Sequence, residues 1–254
     1  MKPKTLFKIL SVMLALSFAS TVTANHLWGS YHWARTANPF SLKLGDNVSF
    51  SWDAALATAS SDWTQSSALD TSVVATLSNK NCRAVSGRVE VCNKTYGNNG
   101  WLGLAQIWIN SAGHITQGVA KMNDTYFNTA PYNTLAWKQF VMCQEVGHTL
   151  GLDHQDEDFD NPNLGTCMDY TSNPASNQHP NAHDYEQLAL IYTHLDSSTT
   201  VRSSISKNNG GKINAEDSDE WGKAIRKDKN GKPSLYEKDL GKGQKLFTFV
   251  IWTE

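Results

Sequence analysis

The sequence predicts an α+β domain in which β-strands dominate the first half and helices complete the second. Three observations support this. Short stretches of alternating apolar and polar residues, typical of half-buried strands, recur before residue 123. A longer segment around residue 140 has apolar residues at helical spacing and can end at Gly151. A second helical pattern follows near residue 190.

The strands are predicted from alternation and from the turn residues that separate them. Gly45-Asp46 ends the first strand, and Ser111-Ala112-Gly113 forms a turn between two later ones. The predicted strands cover 39–44, 72–77, 88–91, 103–110, 115–122 and, near the C-terminus, 245–252.

Three helices are predicted from apolar side chains that recur every three or four residues. The first covers 51–67. The second begins after Asn133 or Thr134, either of which can cap it, and Gly151 can end it. The third covers 183–195.

The chain divides into four predicted segments. Residues 1–24 have a lysine-rich start, a short apolar run and small residues before Ala24, which is typical of a signal peptide. Residues 25–198 form the main domain, and 199–222 are rich in Ser, Asn, Gly and charge, as in a flexible linker. Residues 223–254 form a small C-terminal segment whose role the sequence does not indicate.

The predicted signal peptide indicates a secreted or periplasmic protein, with a retained N-terminal anchor as the alternative. No later segment is long and apolar enough to cross a membrane. The formal net charge is −2, so the chain as a whole is not expected to bind nucleic acid. Nine tryptophans are expected in the core, the alternative being a glycan-binding surface.

Four cysteines in an exported chain predict two disulfides. Cys82 and Cys92 flank a short segment containing Gly87, which we interpret as a hairpin, and we therefore pair them. Cys143 then pairs with Cys167. The alternative is four reduced, buried thiols.

The strongest functional pattern lies at the end of the central helix, in QEVGHTLGLDH over 144–154. Gln144 and His148 are one helical turn apart, and Glu145 lies beside them. Gly151 can turn the chain sharply and bring His154 back towards them. Three donors beside a carboxylate are typical of a zinc site with an open fourth position.

This segment resembles the metzincin signature of zinc metalloendopeptidases, a His-rich helix motif followed by a Met-turn, which Met168 matches. It is also similar to exported bacterial proteins that share the QEVGHT and HQDE strings. The resemblance covers about 25–198 and implies a twisted mixed β-sheet, an active-site helix, a Met-turn and a closing helix.

The resemblance implies an endopeptidase that acts on protein or peptide substrates with one catalytic Zn²⁺. We expect the exported chain to be a monomer. Gln144, His148 and His154 are then the metal ligands, and Glu145 is the general base. Tyr170 is expected to stabilise the oxyanion or to serve only in packing. Met168 is expected to form the floor below the metal, with the Cys143–Cys167 bridge tying the helix to the Met-turn.

Gln144 departs from the family pattern, which has His at this place. A neutral amide oxygen binds zinc more weakly than imidazole does. The alternatives are a zinc-containing binding or adhesion module without catalysis, a site completed by another residue, or a chain that holds no metal. The other candidate ligands are His179, His183 and Asp153.

Two further expectations concern the surroundings of this motif. By its order in the family, the strand at 103–109 is expected to be an exposed edge that binds substrate as an added strand, the alternative being an interior strand. The acidic run after Asp153 makes Ca²⁺ a second candidate ion, although it lacks the spacing of a calcium loop, so a solvated loop is preferred. We assigned no ligand role to His26, His32, His114 and His194.

Overall fold

The computed structural model describes residues 25–76, 79, 81–201 and 218–253. The predicted signal peptide therefore lies outside the described residues, as does 202–217 of the predicted linker.

The described residues form a mixed sheet and four α-helices. The strands are β1 His32–Trp33, β2 Phe40–Asn47, β3 Leu69–Ala75, β4 Val89–Lys94, β5 Trp101–Ile109, β6 His114–Asn123, β7 Lys223–Lys227, β8 Pro233–Gly241 and β9 Gln244–Trp252. The helices are α1 Phe50–Trp63, α2 Asp124–Phe127, α3 Leu135–Thr149 and α4 Ala182–Ile191. The predicted α+β fold class is confirmed.

The sheet has the order β3-β2-β4-β6-β5-β9-β8-β7, and β1 also pairs with β6. The pairs among β2, β3, β4 and β6 are parallel, as is the pair of β1 with β6. The pairs among β5, β6, β7, β8 and β9 are antiparallel. The expected mixed sheet is therefore confirmed.

Helix α3 is buried along most of its length, because α1 and the sheet pack around it. Thr134 caps it, its side chain accepting a hydrogen bond from Trp137 N. Beyond its end, Gly151 has a φ of +101°, and a Cβ there would lie 2.6 Å from Tyr31 O. This position requires glycine, and the sharp turn expected here is present.

The nine tryptophans are buried or partly buried, and none is exposed. Seven of them are buried in the core, as the sequence predicted, and Trp28 and Trp252 are partly buried. Among the described residues, no helix is long and apolar enough to cross a membrane.

Both disulfides form as predicted, Cys82 with Cys92 and Cys143 with Cys167. The hairpin interpretation of the first pair is wrong, because β4 lies parallel to β2 and β6 rather than returning beside its own preceding segment. A left-handed turn at Cys82, with a φ of +46°, directs this side chain back towards Cys92.

The C-terminal segment joins the main sheet with three strands, of which the sequence predicted only β9. Strand β9 pairs with β5 along almost its whole length, from Trp101 to Ile109. The expectation that β5 is an exposed edge is therefore wrong, and the interior alternative is correct. Apolar alternation alone could not show which strand would cover β5.

Helix α4 ends at Ile191, earlier than predicted, because the chain then turns to run beside the N-terminal segment. Asp196 N donates to Arg35 O at 2.9 Å, and Thr200 N donates to Ala34 O at 2.9 Å. These bonds fix the residues after α4 next to β1.

Candidate metal centre

Helix α3 places three of the predicted site residues in the interior. Gln144, Glu145 and His148 are each 0% exposed. His154 follows the turn at Gly151 and is also buried. The structure thus brings the predicted helix residues and His154 into one interior region.

The two histidines face each other. His148 Nε2 lies 2.9 Å from His154 Nε2, and the rings meet edge to face. His148 Nδ1 donates to Leu152 O at 3.0 Å, and His154 Nδ1 donates to Glu157 Oε1 at 2.6 Å. Because both Nδ1 atoms are engaged as donors, both Nε2 atoms are left to face one another.

Burial controls the charge of this pair. Desolvation lowers the pKa of His148 well below its ordinary value, and the neighbouring His154 lowers it further. Desolvation, helped by Arg226, lowers the pKa of His154 to about 3. Both rings are therefore neutral at pH 7, and with each Nδ1 protonated, two Nε2 lone pairs meet.

Gln144 has one end of its amide fixed and the other unpartnered. Its Nε2 donates to Cys167 O at 2.9 Å, which sets the orientation of the amide. Its Oε1 is buried and has no hydrogen-bond partner among the described residues. The carbonyl that anchors the amide belongs to a residue of the Cys143–Cys167 disulfide.

Glu145 lies against β5. Both carboxylate oxygens are buried without a hydrogen-bond partner among the described residues. A Cβ at Gly103 would overlap this carboxylate, so glycine at that position makes room for it. Burial raises the pKa of Glu145 well above its ordinary value.

These residues fit a zinc ion. Two facing imidazole nitrogens and an orphaned amide oxygen are neutral donors of the kind zinc binds, and a buried unpaired carboxylate stands beside them. Imidazoles that donate their other N–H to a carbonyl and a carboxylate are typical of metal-ligating histidines. A bound cation would relieve the contact between the two Nε2 lone pairs.

Met168 lies beneath the helix at the predicted place. It is fully buried, and a Cβ at Gly147 would lie 2.6 Å from its Sδ. Its neighbour Asp169 accepts hydrogen bonds on Oδ2 from Leu164 N at 2.8 Å and Asn177 Nδ2 at 2.9 Å. Burial raises the pKa of Asp169 to about 6.

Tyr170 packs edge to face on His154, with ring centroids 4.6 Å apart. Its hydroxyl donates to Val250 O of β9 at 3.0 Å. Burial raises its pKa well above the ordinary value, so the phenol stays protonated. The Tyr170 hydroxyl is therefore a hydrogen-bond donor close to the histidines, and in the described conformation it donates to the C-terminal strand.

A polar cluster behind His154 was missed by the sequence analysis. Arg226 of β7 contacts Asp153 at 2.5 Å and Glu157 Oε1 at 3.0 Å. Ser234 Oγ donates to Glu157 Oε2 at 2.9 Å. Glu157 could have been found, since it lies three residues after His154, but nothing in the local sequence points to Arg226.

Strand β9 covers the candidate centre. The Phe249 ring stacks on His148 at 4.2 Å with an interplanar angle of 8°. Phe249 is itself fully buried. Together with the bond from Tyr170 to Val250, this contact closes the site in the described conformation.

Of the alternative ligands, His179 and His183 are engaged elsewhere, whereas Asp153 lies beside His154, and the ligand atoms of Asp153, His154 and Glu157 lie within 4.8 Å of one another. His179 Nδ1 contacts Asp62 Oδ2 at 2.7 Å, and its side chain is 57% exposed. His183 packs on His26 and approaches Glu186 at 3.6 Å. Asp153 pairs with Arg226. In the acidic run, Asp158 is paired with Lys229, and binding of Ca²⁺ stays a prediction.

The comparisons with known proteins give distant structural similarity only. No family model and no curated protein matches the sequence. Among solved structures, high choriolytic enzyme 1, a hatching enzyme zinc-protease from Oryzias latipes (Medaka fish), is 10% identical with a TM-score of 0.36, over 64% of this chain and 94% of that chain. Myroilysin is 11% identical with a TM-score of 0.39, over 66% of this chain and 98% of that chain.

Proposed function

We propose that this chain is an exported zinc-dependent endopeptidase whose cleft is closed by its own C-terminal strand. The observation that carries the proposal is the buried meeting of His148 Nε2 and His154 Nε2 at 2.9 Å, with both Nδ1 atoms already donating. The unpartnered oxygens of Gln144 and Glu145 support it. The two disulfides are consistent with export.

In this proposal Gln144, His148 and His154 hold the metal. Bound zinc would polarise a scissile carbonyl and lower the pKa of an attacking water. Glu145 would accept a proton from the attacking water and return it to the leaving amine. Burial without a hydrogen-bond partner raises the pKa of Glu145, which increases its basicity.

Tyr170 is proposed to donate to the developing oxyanion. In the described conformation its hydroxyl donates to Val250 O, a backbone carbonyl of β9. A substrate carbonyl that took the place of Val250 O would accept this hydrogen bond from Tyr170 instead. The packing alternative stays open, because Tyr170 is fully buried and also packs on Phe159.

Strand β9 occupies the place where a peptide substrate is expected to bind. It pairs antiparallel with β5, with Gln106 opposite Thr248 and Ile107 opposite Phe247. Substrate peptides are commonly recognised by adding a strand in this way. The C-terminal strand thus supports a latent enzyme, in which a segment of the chain itself fills the cleft.

The closed state is expected to be very stable. Five large apolar side chains of β9 are at most 1% exposed: Leu246, Phe247, Phe249, Val250 and Ile251. At about 1.5–3 kcal/mol each, their burial contributes roughly 8–15 kcal/mol, which is comparable to the stability of a whole domain. The ordering of these residues costs conformational entropy that offsets much of this figure, so the tether is expected to keep β9 in place, and activity requires a change that releases the strand.

The second candidate is a catalytically inactive zinc-containing binding or adhesion module. The observation that favours it is the same closure, since Glu145 and His148 are each 0% exposed beneath β9. In such a module the metal would serve the fold, and Glu145 would have no proton to transfer.

The test is hydrolysis of a quenched fluorogenic peptide library by the zinc-loaded chain, before and after cutting at a protease site inserted within 202–217. Cutting removes the tether and allows the C-terminal strands to dissociate on dilution. Hydrolysis that appears after cutting and is lost in Glu145→Gln supports the enzyme. Zinc retention without hydrolysis in either state supports the binding module.

A further inference from the structure

A second cluster of metal-binding side chains lies where β1, β6 and the segment after α4 meet. Parallel pairing places His32 directly opposite His114 in the sheet. The chain that returns after α4 adds His194 and Asp196. Four residues from three distant parts of the chain therefore converge, which explains why spacing gave no sign of them.

One carboxylate oxygen stands at the centre of this cluster. Asp196 Oδ1 lies 3.5 Å from His32 Nε2, 3.3 Å from His114 Nε2 and 3.7 Å from His194 Nε2. In tetrahedral zinc sites with metal–ligand distances of about 2.0–2.2 Å, ligand atoms lie about 3.3–3.6 Å from one another. The distances from this oxygen to the three nitrogens are close to that spacing, and the ligand atoms of His32, His114 and Asp196 all lie within 4.8 Å of one another.

The hydrogen bond at His32 Nδ1 leaves Nε2 of the same ring available to bind a metal. Its Nδ1 lies 2.6 Å from Ser30 O, and a carbonyl only accepts, so Nδ1 carries the proton. His32 Nε2, on the other side of the ring, faces the Asp196 carboxylate at 3.4–3.5 Å. Either a second proton or a cation resolves this contact, and a carbonyl behind the ring is the usual support of a metal-ligating histidine.

The other oxygen of Asp196 is already occupied. Asp196 Oδ2 accepts from Arg35 Nη1 and from Arg35 N, each at 3.1 Å. This fixes the carboxylate so that Oδ1 faces the imidazoles. Arg35 also offsets part of the carboxylate charge, so imidazole nitrogen dominates the donor set and favours a transition metal over Ca²⁺ or Mg²⁺.

We propose that His32, His114 and Asp196 bind a second Zn²⁺ with a structural role. His194 Nε2, 3.7 Å from Asp196 Oδ1, lies at the edge of this set and can supply the fourth donor that a structural zinc site needs. The ion joins β1 to a residue 164 positions later in the chain. His194, whose side chain is 58% exposed, gives the ion a path from solvent.

The test uses the full-length chain carrying His148→Ala and His154→Ala, so that its outcome is independent of the proposed enzyme. Zinc is measured by elemental mass spectrometry after dialysis, and the melting temperature is measured with and without zinc. We expect one zinc per chain. At a zinc concentration 100 times the dissociation constant, we expect a rise in melting temperature of roughly 5–10 °C.

Adding His114→Ala to this background should abolish both the bound zinc and the thermal shift. The matched control is His179→Ala, which removes a histidine that also contacts an aspartate but stands outside the cluster. It should leave both unchanged. If the background variant does not fold, His114→Ala in the otherwise unchanged chain should lower the zinc content by one equivalent.

The proposal is overturned if the folded background variant retains no zinc and shows no thermal shift. It is also overturned if His179→Ala lowers zinc content as much as His114→Ala. A cluster stabilised by acidification but not by zinc would be a protonated histidine–aspartate pair, which contradicts a metal site.

Discussion

The ring of Phe249 is predicted to control access to the candidate metal centre. It is 0% exposed and lies 4.2 Å from the His148 ring, with no space between them for a ligand or a chelator. Phe249→Ala removes this cover and leaves the backbone pairing of β9 with β5 in place. Zinc bound at His148 should then exchange more readily.

The cost of this change can be estimated from burial. Truncating a buried phenylalanine to alanine costs about 3–5 kcal/mol, because apolar contacts are lost and a cavity is left. For a domain of this size, each kcal/mol lowers the melting temperature by about 2–4 °C. Phe249→Ala is therefore expected to melt roughly 6–20 °C lower and still to fold.

A matched control separates access from stability. Phe247 lies on the same strand and the same face, is 1% exposed, and packs on Trp28 and Tyr31 at 5.2 and 5.1 Å. Phe247→Ala should cost similar stability but leave the ring over His148 in place. Both variants replace a buried phenylalanine of β9 with alanine, so a difference between them reports on the position of the ring and not on the type of substitution.

The assay is the rate at which a chelator removes zinc from each variant, followed optically. We expect Phe249→Ala to release zinc from the first centre at least about tenfold faster than Phe247→Ala, a difference of about 1.4 kcal/mol in barrier. Equal acceleration in the two variants would refute direct cover, because it would mean that release follows loosening of the whole strand.

Three further predictions concern the residues around α3. Removing the Cys143–Cys167 disulfide by a double alanine substitution should weaken zinc retention on dialysis, because Cys167 O orients the Gln144 amide, whereas removing the other disulfide should not. Gln144→His should tighten zinc in a chelator competition, because imidazole is the stronger donor; an unchanged affinity would argue against Gln144 as a ligand. Asp169→Asn should raise the free energy of unfolding in urea at pH 7.5 and change it little at pH 4. Because the folded pKa of Asp169, about 6, exceeds its unfolded value, the wild-type side chain contributes its full stability at low pH and loses it as pH rises through 6. The amide of the variant can keep both hydrogen bonds that Oδ2 accepts. An equal change in the free energy of unfolding at both pH values would contradict this.

Much of the fold could be predicted, because local patterns determine it. Most strands and helices of the first two hundred residues follow apolar periodicity, although the short elements β1 and α2 were not predicted. Thr134 caps α3, and Gly151 turns the chain where only glycine fits. Both disulfides were also predicted, although the hairpin expected for Cys82 and Cys92 was wrong. That error arose because a sequence does not show whether neighbouring strands run parallel.

The features that were missed depend on contacts between distant parts of the chain. Arg226 reaches Asp153 only because β7 joins the sheet beside β8. His32 meets His114 through strand register, and Asp196 joins them through backbone bonds to Arg35. Each contact is fixed by tertiary packing, and none leaves a spacing pattern in the sequence.

The central claim is that Gln144, His148 and His154 hold a zinc ion beneath β9. It is tested most directly by anomalous diffraction at the zinc absorption edge, using crystals of the zinc-loaded full-length chain and of its His148→Ala variant. We predict a strong peak between the His148 and His154 Nε2 atoms, within bonding distance of Gln144 Oε1, that is absent from the variant. No peak at this position in zinc-loaded crystals of the unsubstituted chain would contradict the account.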